Sequence, residues 1–192
     1  SRWGNREHLH CVTNYHLHKA LFSGHNDHNY FEIAHTVKRI HDMDRSRPEG
    51  LKLYNFVDNH DVERIATKLR NPAHFAPVHV LLYTLPGVPS LYYGSEFGIQ
   101  GRKERGSDAS LRPALSLDDF SGALETNPCT RLIARLGQVR QRSAALSCGD
   151  YHQLLLTTKQ YAFSRTLGEE TVLVLVNNDD APFTTRLGAQ GD

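Results

Sequence analysis

The run Leu51-Lys52-Leu53-Tyr54-Asn55-Phe56-Val57, closed by the four polar residues Asp58-Asn59-His60-Asp61, constrains this chain more than any other feature in it. Apolar and aromatic side chains follow one another there with little amphipathic contrast, as a parallel strand covered on both faces requires. The flanking segments agree. Tyr30, Ile33, Ala34, Val37 and Ile40 form an apolar stripe that predicts a helix over residues 29–41, with Asn29 and Glu32 spaced as a capping box and Met43 to Gly50 as the loop that follows. Residues 62–69 read as a short helix, and Pro77 to Leu85 as another, because proline is welcome at a first helical turn. Pro86-Gly87 stops that helix, and Val88 to Tyr93 supplies the next strand. Strand, helix and strand with short joins is the pattern of βαβ units on a parallel sheet.

Residues 100–126 form a loop long enough to suggest a functional role, with Gly101, Gly106, Pro113 and Gly122 along it. A helix follows in which Asn127 is the cap, Pro128 takes the first position, and Leu132, Ile133, Leu136 and Val139 face one way. After Gly149 the pattern changes to short strand-like runs, 151–157, 161–166 and 171–176, the last two joined by the turn Leu167-Gly168-Glu169-Glu170 as an antiparallel hairpin. The expected organisation is an α/β unit over residues 1–149 and a β unit over residues 150–192. At 192 residues the chain is too short for a complete eight-stranded α/β barrel, which takes about 250.

Charge excludes two partner classes. Twenty-two Lys and Arg against 21 Asp and Glu leave +1, with no basic tract beyond Gly101-Arg102-Lys103-Glu104-Arg105, so neither nucleic acid nor an anionic membrane is expected as a partner. Cys11, Cys129 and Cys148 show no Cys-x-x-Cys spacing and read as reduced thiols of a cytoplasmic protein.

The polar tetrad after Val57 lies where βα loops begin, the end at which α/β enzymes place reactive groups. Against that stands a plainer reading, in which Asp61 caps a helix starting at Val62 and His60 is a hydrogen-bonded surface residue. Eight of the twelve histidines precede residue 42, including His8-x-His10 and His16-x-His18. On a strand such pairs would put two imidazoles on one face, a candidate metal pair. No carboxylate or Cys accompanies them at a recognisable spacing, exposed polar positions explain them better, and no metal is assigned.

Phe56-Val57-Asp58-Asn59-His60-Asp61 followed by Arg64, together with Leu85-Pro86-Gly87-Val88-Pro89-Ser90-Leu91-Tyr92-Tyr93-Gly94-Ser95-Glu96, resembles the last barrel segments of the α-amylase family of glycoside hydrolases, glycoside hydrolase family 13. Val12-Thr13-Asn14-Tyr15 and residues 108–115 are closest in flavour to its cyclomaltodextrinase- and neopullulanase-like members. The resemblance implies the C-terminal part of a TIM (β/α)8 barrel, about strand six to helix eight, followed by the start of an antiparallel β-sandwich domain.

It also implies residue roles. Asp61 would hold the 2- and 3-hydroxyls of the sugar and stabilise the transition state, and His60 would hydrogen-bond the same sugar. Asn59, Tyr93, Asp108 and Arg112 would line the substrate, although a salt bridge internal to the loop accounts equally for Asp108 and Arg112. Glu96 would be structural. Tyr15, Phe22 and Tyr30 could stack on sugars, with core packing as their default. The nucleophile Asp and the acid/base Glu of the family would lie on strands ahead of Ser1, so this chain alone is expected to be inactive. No cofactor is expected; calcium is left open for the complete enzyme. The implied partners are an α-glucan or maltodextrin substrate and, through open sheet edges, a second copy of the chain or a companion fragment. Two other classes stay open, a non-catalytic carbohydrate-binding or scaffolding fragment and a histidine-rich metal-binding protein.

Overall fold

A computed structural model describes residues 8, 9, 11–45 and 52–187. Three short strands, β1 (Cys11–Thr13), β2 (Lys52–Phe56) and β3 (Val88–Ser90), form a parallel sheet in that order, with Val12 opposite Leu53 and Tyr54 opposite Val88. Helices α1 (Tyr15–Asn26) and α2 (Tyr30–Arg45) cross from β1 to β2, and α3 (Ile65–Lys68) and α4 (Phe75–Thr84) from β2 to β3. After β3 the chain runs through three single 3-10 turns, at Ser95–Phe97, Ala109–Leu111 and Leu117–Phe120, into α5 (Ala123–Thr126), α6 (Pro128–Arg142) and α7 (Ala144–Cys148). A second sheet follows, antiparallel and ordered β4 (Asp150–Leu156), β5 (Gln160–Leu167) and β6 (Glu170–Asn177), so β4 pairs with β5 as well as β5 with β6.

Buried amides hold the parallel sheet together. The Asn14 side chain caps α1 by accepting from the Leu17 N–H (3.1 Å) and donates to Asn55 (2.8 Å), which donates in turn to the Pro86 carbonyl (2.9 Å). Both amides are almost fully buried, so losing either would strand a polar group in the core, a cost of about 1–3 kcal/mol. Gly87 has φ +119°, and a Cβ there would come within 2.6 Å of the Asn55 amide nitrogen, so only glycine lets the chain turn into β3.

One continuous apolar core joins the two sheets. Leu17, Leu21, Ile33, Val37, Val57, Val78 and Leu82 pack in the same cluster as Tyr161, Phe163, Val174 and Val176 of β5 and β6. Arg165 crosses that boundary, donating from Nη1 to the Thr84 carbonyl (2.8 Å) and from Nη2 to that of Gly149 (2.9 Å); burial lowers its pKa to about 10.

Several expectations change. The Asn29 N–H is already committed to the Gly24 carbonyl (2.8 Å), and Glu32 instead binds Lys19 and Ser23 of α1, so no capping box closes there. Helix α2 runs on through residues 43–45; residues 46–51, the rest of the expected loop, lie outside the described residues. His16 and His18 sit on a helix, since Asn14 caps one at that point, and two residues apart they face different sides of it. His10 lies outside the described residues. The expected helix at Val62 begins only at Ile65, and strand β3 ends at Ser90. On α6, Ile133 is buried but Val139 is exposed, and Arg140 anchors the last turn by donating to the carbonyls of Tyr83 and Gly87.

Candidate active site

The strand β2 delivers its polar tetrad to the end where β2 runs into α3, and each member then does something different. Asp58 is 1% exposed; its Oδ2 accepts from the Ile65 N–H (2.8 Å), and both oxygens accept from the Ser95 hydroxyl (2.8 and 2.9 Å). Burial raises its pKa, against the pull of those hydrogen bonds and of the Arg64 charge. Asp58 therefore takes the first N–H of α3 from a distance, while Arg64 holds the cap position without a side-chain capping bond and Asp61, the plain reading's cap, makes none.

Asn59 makes a local turn, its Oδ1 accepting from the N–H groups of Asp61 (2.9 Å) and Val62 (3.2 Å), while its Nδ2 reaches Tyr15 Oη at 3.4 Å. That turn projects Asp61 outward. The Asp61 carboxylate is half exposed, with Oδ2 3.3 Å from His60 Nε2 and Oδ1 3.2 Å from Arg112 Nη2. Arg112 also meets Asp108 Oδ2 at 3.1 Å and donates from Nε to the His60 carbonyl (3.1 Å). Asn59, His60, Asp61, Asp108 and Arg112 thus come together across 50 residues of sequence. Tyr93 stands beside them, 43% exposed, its hydroxyl donating to the Pro113 carbonyl (2.9 Å).

Exposed ion pairs of this kind contribute only about 0–1 kcal/mol to stability. Their effect here is geometric: a carboxylate that accepts from a guanidinium, with an imidazole nitrogen 3.3 Å from its other oxygen, is suited to vicinal hydroxyls. Lys103, visible in the sequence only as part of a short basic tract, completes the rim, donating to the Asp61 carbonyl (2.9 Å) and lying 3.9 Å from Asp108. The Glu96 carbonyl accepts from the Thr130 hydroxyl at the start of α6, and its charge acts on the buried Asp58. Tyr30 is fully buried and Phe22 partly so, both packed in the core, while Tyr15 is exposed. No group of three or more His, Cys, Asp and Glu among the described residues could hold a metal ion.

Residues 1–145 match the family profile described as the alpha-amylase catalytic domain. The chain belongs to the α-amylase family. Among curated relatives of this α-amylase-family chain, a cyclomaltodextrinase from a Bacillus species is 31% identical over 137 residues, covering 70% of the chain and 23% of the relative. A cyclomaltodextrin glucanotransferase from Geobacillus stearothermophilus is 29% identical over 142 residues, 74% of the chain and 19% of the relative. The chain spans about a fifth of the length of these relatives. In fold it is similar to an α-amylase from H. orenii (TM-score 0.76, 20% identity, 89% of this chain and 39% of that one) and to a Nostoc punctiforme debranching enzyme (TM-score 0.70, 25% identity, 92% and 39%).

Two residues of this α-amylase-family site had no role assigned from sequence. Arg64 and Ser95 were visible only as letters in the two motifs, because Arg64 acts on the main-chain carbonyls of Tyr93 and Leu111 in distant loops and the Ser95 hydroxyl on the Asp58 carboxylate.

Proposed function

We propose that this chain is part of a retaining α-glucan-acting glycoside hydrolase or transglycosylase, residues 1–149 forming the C-terminal part of its (β/α)8 barrel, about strand six to helix eight, and residues 150–192 the start of a β-sandwich domain. The observation that carries the reading is the Asp61 carboxylate, presented half exposed at the end of a parallel strand between His60 and Arg112.

Cleavage of a glycosidic bond passes through an oxocarbenium-like transition state, and hydrogen bonds to the 2-hydroxyl strengthen as the ring flattens. A charged acceptor with fixed donors on either side serves that step, because contacts that tighten in the transition state raise the rate rather than the affinity alone. Asp61 takes this stabilising role, His60 hydrogen-bonds the same sugar, and Arg112 with Asp108 binds its neighbour. Cleavage with retention further needs a nucleophile and a proton donor on opposite sides of the bond, about 5–5.5 Å apart. Asp61 and Asp108 do not supply them, being joined by one guanidinium, and Asp58 is buried under Ser95. The 192-residue chain on its own is accordingly an α-glucan-binding wall without turnover. Its three unpaired thiols fit a cytoplasmic setting.

The test is to titrate maltoheptaose into the chain and follow backbone and side-chain resonances. Shifts centred on His60, Asp61, Asp108 and Arg112 that disappear in Asp61→Asn support the reading. Saturable shifts confined to another face, or none at all, overturn it.

A further inference from the structure

The geometry points to Arg64 as a positioning residue that acts through Arg112, fixing where that guanidinium meets Asp61. The inference rests on the α-glucan reading for its purpose, but its geometry is independent of any sugar. Arg64 is 0% exposed, and both terminal nitrogens of its guanidinium hold loops, while its buried Nε has no hydrogen-bond partner. Its Nη2 donates to the Leu111 carbonyl (2.8 Å), the residue immediately before Arg112. Its Nη1 donates to the Tyr93 carbonyl (2.6 Å) and to the Ser95 hydroxyl (3.3 Å). Its backbone N–H donates to the Gly101 carbonyl (3.0 Å), while the Gly101 N–H returns to Thr67 Oγ1 (2.9 Å).

One residue therefore fastens both ends of the segment between Gly101 and Leu111, the loop that carries Asp108. Space enforces the arrangement: a Cβ on Gly101 would lie 2.4 Å from the Ser110 carbonyl oxygen and 3.0 Å from Arg64 Cγ. The guanidinium also lies over the Tyr92 ring, 4.2 Å from its centroid, with the Tyr93 centroid 5.2 Å away and the two rings in edge contact with each other. Followed through its bonds, the network leaves β2 at Asp58 and passes through Ser95, Arg64, the Leu111 peptide and Arg112. It returns to the same strand end at Asp61, three residues from where it began. The exposed half of this circuit is made of weak, solvent-screened ion pairs, which cannot hold a long side chain in one place unaided. The buried half, with its planar fork on two carbonyls, can.

A lysine keeps the charge at position 64 but presents a single point donor, which cannot span the carbonyls of Tyr93 and Leu111 together. Arg64→Lys is therefore expected to leave the amide spectrum of the core unchanged while the Arg112 Nε–H resonance, protected by the His60 carbonyl, exchanges about tenfold faster or more, the loss of one preorganised hydrogen bond. An Arg112 Nε–H that exchanges as slowly in a folded Arg64→Lys chain as in the wild type overturns the proposal. Should that variant fail to fold, Ser95→Ala, which removes one of the guanidinium's acceptors together with the hydroxyl that Asp58 accepts from, is read in the same way: faster Arg112 exchange supports the coupling, and an unchanged rate overturns it.

Maltoheptaose then separates this inference from the functional reading. If the chain binds it, Arg64→Lys and Arg112→Lys should each weaken binding, and the double variant should be no weaker than Arg112→Lys alone, since the first acts only through the second. Additive losses would make Arg64 a general support of the fold and overturn the proposal. If no sugar binds while Arg112 exchange still depends on Arg64, the α-glucan reading fails and the positioning role stands.

Discussion

Acid should unfold this protein earlier than its carboxylates alone would dictate, because three histidines are buried as neutral rings. His18 is 5% exposed, His25 and His79 0%. Each gives its Nδ1–H to a main-chain carbonyl, those of Val57, Leu21 and Phe75 respectively, and His25 Nε2 accepts from the Tyr30 hydroxyl. Burial, the largest cause in all three, lowers each pKa from 6.5 to about 4. The unfolded chain thus takes up protons near pH 6.5 that the folded chain refuses until about pH 4, and stability is lost progressively across that window as pH falls. Between about pH 7.5 and pH 5 each ring contributes a loss of about 2 kcal/mol, so three together remove about 6 kcal/mol. Since a domain's whole stability is about 5–15 kcal/mol, that is enough to bring this one to the edge of unfolding. His74, whose pKa burial also lowers, acts in the same direction. Asp58 acts in the other: its raised pKa means that the folded state gains stability as pH falls through that value. Urea melts at the two pH values measure the sum. His79→Leu, which fills the same space with nothing to titrate, should remove about a third of the pH dependence, about 2 kcal/mol. A urea midpoint that stays level across the window, or a His79→Leu slope equal to that of the wild type, would refute the argument.

Three further outcomes are expected. Asn127 caps α6 by accepting from the N–H groups of Cys129 (2.8 Å) and Thr130 (3.3 Å), so Asn127→Ala should lower stability by about 1 kcal/mol in the same urea assay. Incubation of the purified chain with maltodextrin, cyclodextrin or an activated maltoside should give no hydrolysis; turnover that survives repurification and is lost in Asp61→Ala would contradict this. Among the described residues β1 and β3 are the edges of a three-stranded parallel sheet, with Tyr54 of β2 and Val88 of β3 exposed, so light scattering should show association rather than a monodisperse 21.7 kDa species.

What the sequence made legible was whatever is local or periodic. The β2 run and its polar close, the Asn127-Pro128 helix start and the Leu167 to Glu170 hairpin are written in neighbouring residues, and each forms where those residues predict. The resemblance to the α-amylase family likewise rests on two short contiguous motifs. Illegible were choices decided by a distant competitor. Glu32 had a capping position available but found Lys19 and Ser23 on the neighbouring helix, and Asp58 took the first N–H of α3 because Ser95 could share its burial. At His16-x-His18 the alternation was legible but the element was not: Asn14, two residues ahead, caps a helix there rather than leading into a strand. At the candidate site the residue types were readable and their link was not, since Arg112 meets Asp61 only after the long loop is folded.

The corner between α1 and α2 has a consequence for how the chain is made. His28 donates to the Asn178 carbonyl (2.7 Å), the Asn178 side chain donates to the His25 carbonyl (3.1 Å), and the Tyr30 N–H donates to the Thr158 carbonyl (2.7 Å). These acceptors and donors come from the far end of the sequence, about 130 to 150 residues away, so a ribosome delivers the corner long before it delivers what completes it. Closing a loop of that length costs about 2 kcal/mol more than closing one of ten residues, and non-local pairing of this kind slows folding. During synthesis the first two helices must wait, with their corner wet and their apolar faces uncovered, until β6 has emerged; it is in that interval that a nascent chain is most exposed to chaperones and proteases.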